Sequence, residues 1–429
     1  MWQSIRKKYD DLFTPEEEKA KRYKNKFTEA FSKFPVKPLT TEEELKFYVS
    51  LTGDIFKDFQ AYLNLNQDTG KYLVTGQNGC GKTTELHYWG SKLDENYTVI
   101  MCSLLNIAEE NEADVKDILL LIGIRLIQVL VEMDLAASVG KSIEFFYQLL
   151  EQNVNHEDPE QLSSDLNLLC LKMKSEPVSR KTIREKMETN LALVYKAIDS
   201  AAQELWQATD KQPIVIIDDM EKLALEPAVE IFYQNKDKLL TPVCRIIYTM
   251  PLMLYYSDQF IYFRNKFADY FPLPLVRIYD KDNKEFGKGM DLFDKLVNKR
   301  IKAADHFEEE VLNDLIIRTG GNVTDLIRLV QECCFMRIQK PKAKIDREVL
   351  DAVMKKWKQK IYKLLDPKSR SILKKVYLTK QFDQDKLAYF YLFLNEKLIL
   401  EQQDHDEWFD IHPVLRELLG LPEEPGFED

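Results

Sequence analysis

The stretch YLVTGQNGCGKTTELHYWG, residues 72–90, decides how the chain is read. An apolar run leads into glycines at 76, 79 and 81, then a lysine and two threonines, then an apolar-periodic segment. Glycines so spaced let successive backbone N–H groups turn inward on one anion, and a helix opening directly afterwards aims its positive end at the same point. Lys82 is placed to neutralise the outer phosphate oxygens of a nucleotide, and the Thr83 hydroxyl to join a magnesium shell. The pattern G-x-x-x-x-G-K-[ST] therefore predicts a phosphate cradle made by Gly76, Gln77, Asn78, Gly79, Cys80, Gly81, Lys82, Thr83 and Thr84.

Working outward, five short apolar runs predict buried parallel strands at 71–76, 97–103, 213–219, 244–250 and 272–278. Helical patterns separate them, which is the alternation of a βαβ sheet. The interval between the second and third runs is too long for a simple crossover and predicts a helical insertion at about 104–210, with helices near 115–152, 162–174 and 182–209. The greasiest part, ILLLIGIRLIQVLVEM (118–133), carries Arg125 and Gln128 and is short for a membrane span, so it predicts a buried helix and no membrane partner. Before the strands, residues 1–40 form a basic arm, with a net charge of +4 through Lys37. TEEEL from Thr41 predicts a capped helix. The expected organisation is the arm at 1–40, a core at 41–280 that contains the insertion, a helical lid at 281–344 and a winged helix at 345–429, where three helical patterns precede LILEQQ, DHD and EWFDI.

A nucleotide held with magnesium also needs a carboxylate on a neighbouring strand. IVIIDDMEKL supplies it: Asp218 as the metal-side group together with Thr83, and Asp219 or Glu221 to polarise an attacking water. The alternative is an acidic cap on the following helix. Thr249 ends the next run, RIIYTM, either to orient that water or simply to cap the strand. TGGNVTDLIRL (319–329) breaks one helix and starts another.

Taken together, the loop, IVIIDDMEKL, IIYTMP and GGNVTDLIRL resemble the AAA+/STAND group of P-loop ATPases, in particular prokaryotic members of the initiator and KAP-type branches followed by a winged helix. The resemblance runs from about residue 41 to 419 and is specific in its first two motifs. It implies an α/β fold: an αβα core around a parallel five-stranded sheet of order 5-1-4-3-2, a helical lid, bound ATP and Mg²⁺, and ATP-dependent assembly. It makes Thr249 a sensor on the fourth strand. Many relatives carry an arginine where this chain has Thr324, and Arg328, one turn on, is the substitute; an arginine finger acting on a neighbouring subunit would be Arg264 or Arg300. The Asp-Asp pair matches STAND members and implies slow turnover. Such relatives act as regulated sensors, many of them in bacterial anti-phage defence.

Composition narrows the rest. A net charge of −11 and a sequence pI near 5.3 argue against a nucleic-acid coat protein. Six cysteines without C-x-x-C pairs or a His partner predict reduced core thiols in a cytoplasmic protein. No N-K-x-D for guanine and no LSGGQ-like signature occurs. Residues 361–429 carry 9 Lys and Arg against 14 Asp and Glu, which disfavours DNA as the partner of the winged helix. Residues 337–363 are the opposite, 10 against 3, and offer a nucleic-acid contact that a solvated helix face explains better. The leading expectation is an ATP-binding and ATP-hydrolysing switch that controls self-association or a protein partner. The alternatives are a DNA-loading ATPase of replication or transposition, and a scaffold in which nucleotide is a structural plug.

Overall fold

The computed structural model describes residues 15–65, 69–135, 159–403 and 407–422. Parts of the expected arm (1–14), insertion (136–158) and hairpin tip (404–406) lie outside the described residues. Along the chain, α1 (Glu16–Ser32) and α2 (Ile55–Leu65) precede β1 (Lys71–Thr75), and α3 (Lys82–Leu93) leads to β2 (Tyr97–Ser103). Helices α4 (Val115–Glu132), α5 (Pro159–Ser175), α6 (Pro177–Thr189) and α7 (Leu191–Thr209) come before β3 (Gln212–Asp218), β4 (Arg245–Thr249) and β5 (Asp269–Pro272). The remainder is α8 (Gly287–Asn298), α9 (Val311–Arg318), α10 (Val323–Gln339), α11 (Arg347–Tyr362), α12 (Pro367–Thr379), α13 (Leu387–Asn395), the hairpin β6 (Ile399–Gln403) and β7 (Glu407–Ile411), and α14 (Val414–Leu418).

Two compact units result. One comprises Gly53–Gly76 and Lys82–Leu273; the other comprises Met1–Thr52, Gln77–Gly81 and Pro274–Asp429. The first holds a five-stranded sheet of order β2-β3-β4-β1-β5 with every pair parallel, which is the 5-1-4-3-2 order expected from the resemblance. Strands β1 and β4 are buried at every position, as strands covered on both faces must be, whereas β2 at the edge alternates buried and half-buried residues. Helix α4 is apolar nearly all round and sits in the core of this unit. Its one deeply buried carboxylate, Asp117, accepts two hydrogen bonds from Arg184, which satisfies a charge that would otherwise oppose folding. Among the described residues no helix is long and apolar enough to cross a membrane.

Three expectations are adjusted. The fifth strand lies at Asp269–Pro272 rather than 272–278. Pro272 and Pro274 have no N–H to donate, so pairing with β1 ends there. The helical pattern 182–209 is two helices, α6 and α7, because Asn190 leaves helical geometry between them. Thr41 and Glu44 do form a reciprocal capping box, but the helix that it starts runs only from Glu42 to Leu45. Gly53, at φ +60°, turns the chain before α2 restarts.

The sheet is joined to α2 and α3 by aromatic packing. Trp89 and Phe59 are fully buried and stack at 5.2 Å, and Phe59 meets Tyr72 of β1 edge-on at 5.4 Å. In the second unit, α1 packs on α10. Helices α11 to α13 and the antiparallel hairpin, paired from Ile399–Ile411 to Gln403–Glu407, form a winged-helix-like end. Asp410 of β7 is fully buried there and paired with Lys380 at 2.8 Å. We expect Trp89→Ala to lower unfolding stability by about 3–5 kcal/mol, read from denaturant midpoints; a loss under about 1 kcal/mol would show that the α2–α3 aromatic layer contributes little.

Candidate functional site

In the sheet unit, β1 ends at Thr75 and the chain turns at Gly76, φ 150°. Gly79 and Gly81 follow with φ 90° and 103°, values that a side chain would strain. This is the backbone that the motif demands. Lys82 opens α3, is 5% exposed, and its ammonium donates to the Gly76 carbonyl at 2.7 Å. Two strands away, β3 ends at Asp218. The Thr83 hydroxyl hydrogen-bonds Asp218, so the loop's threonine and the strand-end carboxylate are in contact.

The turn after β3 gathers three carboxylates. Asp218, Asp219 and Glu221 have oxygens within 4.8 Å of one another. Asp219 sits at φ 67°, accepts from the Ser103 hydroxyl and pairs with Lys222 at 2.6 Å. By contrast Asp218 Oδ1 and Glu221 Oε2 are buried with no hydrogen-bond partner. Buried carboxylate oxygens without donors are costly, and a divalent cation is the ligand that relieves them. Burial pushes the Asp218 carboxyl up to about 6, with Glu221 adding to the rise and the Thr83 hydroxyl opposing it. Oxygen donors beside a threonine hydroxyl suit Mg²⁺.

Thr249, at the end of β4, is fully buried and has both hydrogen-bonding roles filled: it donates to the Ile217 carbonyl at 3.2 Å and accepts from Met220 N–H at 3.0 Å. It thus holds the turn that carries the acidic cluster. The strand order, with a glycine loop between β1 and the helix that follows it, is the α/β arrangement that the resemblance implied. No family model and no curated relative matches the chain. Among solved structures it is similar to the Walker-type ATPase PABY2304 of Pyrococcus abyssi, with TM-score 0.47 and 14% identity over 91% of this chain and 100% of that one. It is also similar to Cdc6p from Pyrobaculum aerophilum, with TM-score 0.42 and 11% identity over 91% and 97%. A third is the Aeropyrum pernix Orc1 protein, solved in complex with DNA, with TM-score 0.41 and 8% identity over 89% and 95%.

Residues 77–81 of the loop make their contacts within the second unit. The Gln77 side chain is 2% exposed; its amide donates to the carbonyls of Leu394 (3.1 Å) and Ile399 (2.6 Å), and its oxygen accepts from Glu401 N–H (3.0 Å). These are the end of α13 and the first strand of the hairpin. Asn322, the N-cap of α10, donates to the Asn78 carbonyl at 2.7 Å. The first amides of α10, Val323 and Thr324, both donate to the Gly79 carbonyl, at 3.0 and 3.3 Å. A Cβ on Gly79 would stand 2.2 Å from the Asn322 side chain, so glycine is required there by proximity as well as by φ.

The arginines are placed as follows. Arg264 lies in the turn before β5, with its Nε buried and unbonded. Arg300 is buried in the second unit and donates to the carbonyls of Leu296 (3.1 Å) and Phe47 (3.3 Å). Arg328 is an exposed residue of α10, and Thr324 is half-buried at its start. Of the basic run 337–363, Arg337 is buried against Asp346 at 2.6 Å, and Arg347 and Lys358 pair with Asp314 and Glu417. Sequence reading did not single out Ser103, Asn322 or the hairpin partners of Gln77. Asn322 stands in the quoted GGNVTDLIRL as an N-cap signal, whereas Ser103 is only a strand-end serine.

Two outcomes follow from this geometry. Because the Asp218 pKa is raised in the folded protein, its stability contribution is fully present below about 4 and is lost as pH rises through about 6. Asp218→Asn should therefore stabilise the metal-free protein at pH 8 by on the order of 2 kcal/mol, with little gain at pH 4. Melting curves in EDTA at the two pH values check this, and equal gains at both would contradict it. Gln77→Ala leaves the Ile399 carbonyl and the Glu401 N–H without the partner that Gln77 supplies, so it should cost about 2–4 kcal/mol and speed amide exchange at Glu401. Unchanged exchange there would mean that Gln77 does not hold the hairpin.

Proposed function

We propose that this chain binds ATP·Mg²⁺ at residues 76–84, hydrolyses it, and acts as a molecular switch over self-association or a protein partner. The reading is carried by the partnerless carboxylate oxygens of Asp218 and Glu221 in the same sheet unit as Lys82 and Thr83. Thr83 and Asp218 would hold the ion, whose charge, when bound, offsets that of the outer phosphates. The Lys82 ammonium, now spent on the Gly76 carbonyl, has a phosphate oxygen as its stronger acceptor. Glu221 is better placed than Asp219 to take a proton from water, since Asp219 is bonded to Ser103 and Lys222. The switch character rests on Gln77 and Gly79: a loop that reshapes around phosphate changes the partners of groups bonded to the hairpin and to the start of α10. The setting that we attach to this proposal is the one the resemblance implies, bacterial anti-phage defence.

Glu221→Gln should lower the rate of phosphate release by on the order of 10²–10⁴-fold with ATP affinity retained, and Lys82→Ala should lose affinity itself. Phosphate release and solution mass, with and without ATP·Mg²⁺, are the measurements. Tightly bound nucleotide with no release by the wild-type protein would replace the switch with the structural-plug reading.

A further inference from the structure

The second unit contains a recess of about 600 Å³ that shares no lining residue with the phosphate loop. Its wall brings together Arg22 and Lys26 of α1, Lys33 just after it, Arg300 and Lys302 after α8, and Lys344. Among the described residues, Glu29 and Asp305 are the acidic ones that line it. In a chain with a net charge of −11, such a concentration of cations is a local inversion of the overall field. Lys33 is offset by Glu29 at 2.6 Å, and Lys26 spends its ammonium on the carbonyls of Asp305 and Ala343. Among the described residues, no ion pair is formed by Arg300, Lys302 or Lys344.

Arg300 is the informative member. The residue is 9% exposed, and its guanidinium donates to carbonyl oxygens and lies near the rings of Phe34 and Phe47. Burial without a carboxylate lowers its pKa to about 10. His306, on the same wall, is pushed down by burial and then by the charges of Lys26 and Lys33, opposed by the Lys302 carbonyl and Asp305. A buried cation without a counter-charge is expensive, and an incoming anion removes the expense.

We infer that this recess is a second anion site that takes a small phosphorylated ligand carrying at least two negative charges. The volume lies in the range of small-molecule pockets. Rod-like DNA is the poorer fit, because a buried guanidinium cannot reach a backbone that stays outside the surface. A ligand here would bridge α1 and the segment after α8, and so give the second unit an input separate from the nucleotide.

The test uses the full chain at low salt, inorganic tripolyphosphate as probe, and calorimetry. Lys82→Ala, which impairs the loop, should leave tripolyphosphate binding to the recess in place. Adding Lys302→Glu and Lys344→Glu should weaken it at least about tenfold, or about 1.4 kcal/mol; the same double change in the wild-type background should leave ATP·Mg²⁺ affinity untouched. Lys302→Ala with Lys344→Ala, a milder pair, guards against misfolding and should weaken binding in the same direction. Raising the salt should weaken binding in the Lys82→Ala protein. Tripolyphosphate binding that vanishes with Lys82→Ala alone, or that ignores both double changes, would overturn the inference. So would charge-dependent binding of a 20-base-pair duplex with none of tripolyphosphate. Because the loop is disabled in the main arm, failure of the ATP reading leaves this result standing, and the reverse also holds.

Discussion

The sheet unit depends on the alignment of three parallel strand ends. Val74 of β1 pairs with Thr249 of β4, and Tyr248 pairs with Ile217 of β3, so β1, β4 and β3 finish at one edge. That register brings Gly76, Thr249 and Asp218 to the carboxyl ends of neighbouring strands, where an open parallel sheet places its ligands. A slip of one residue would turn Thr249 away from both Ile217 and Met220 and release the acidic turn. The buried, β-branched character of these strands is what prevents such a slip.

At that edge, charge is arranged by what has been paired and what has not. Asp219 is neutralised locally by Lys222 and Ser103, while Asp218 and Glu221 keep buried oxygens without donors. A fold selected for stability alone would fill those positions with neutral groups, because a buried unpaired carboxylate costs more than its hydrogen bonds return. The elevated pKa of Asp218 expresses the same cost in protonation terms. In the second unit the recess at Arg300 shows the converse: cations brought together with few acids between them.

Within the loop segment Gln77–Gly81 the Cys80 amide donates to the Gln77 carbonyl at 3.1 Å. Groups distant in sequence also hold its shape. The amides that open α10 take the Gly79 carbonyl, Asn322 takes that of Asn78, and the hairpin takes the Gln77 side chain. A helix N-terminus ordinarily offers its free N–H groups to an anion; here a loop carbonyl occupies them.

Much was legible along the chain. The glycine spacing, the apolar runs and the acidic strand end are local patterns, and each reports a local requirement: positive φ at 79 and 81, strands buried on both faces, a carboxylate at the end of β3. The strand order followed from the resemblance built on those motifs, and the sheet has it. Where prolines stood, the local reading misplaced β5, because it counted apolar character and overlooked the missing N–H groups. By itself, then, the sequence determined the phosphate-loop backbone, the set of strands and the winged-helix-like end. Tertiary structure alone decided which carboxylate oxygens stay unpaired, that Arg300 is buried, and that Gln77 bonds to Glu401, 324 residues away. The physical reason is that periodicity and spacing act over one or two turns of chain, whereas hydrogen-bond partners and burial depend on residues that only folding brings together.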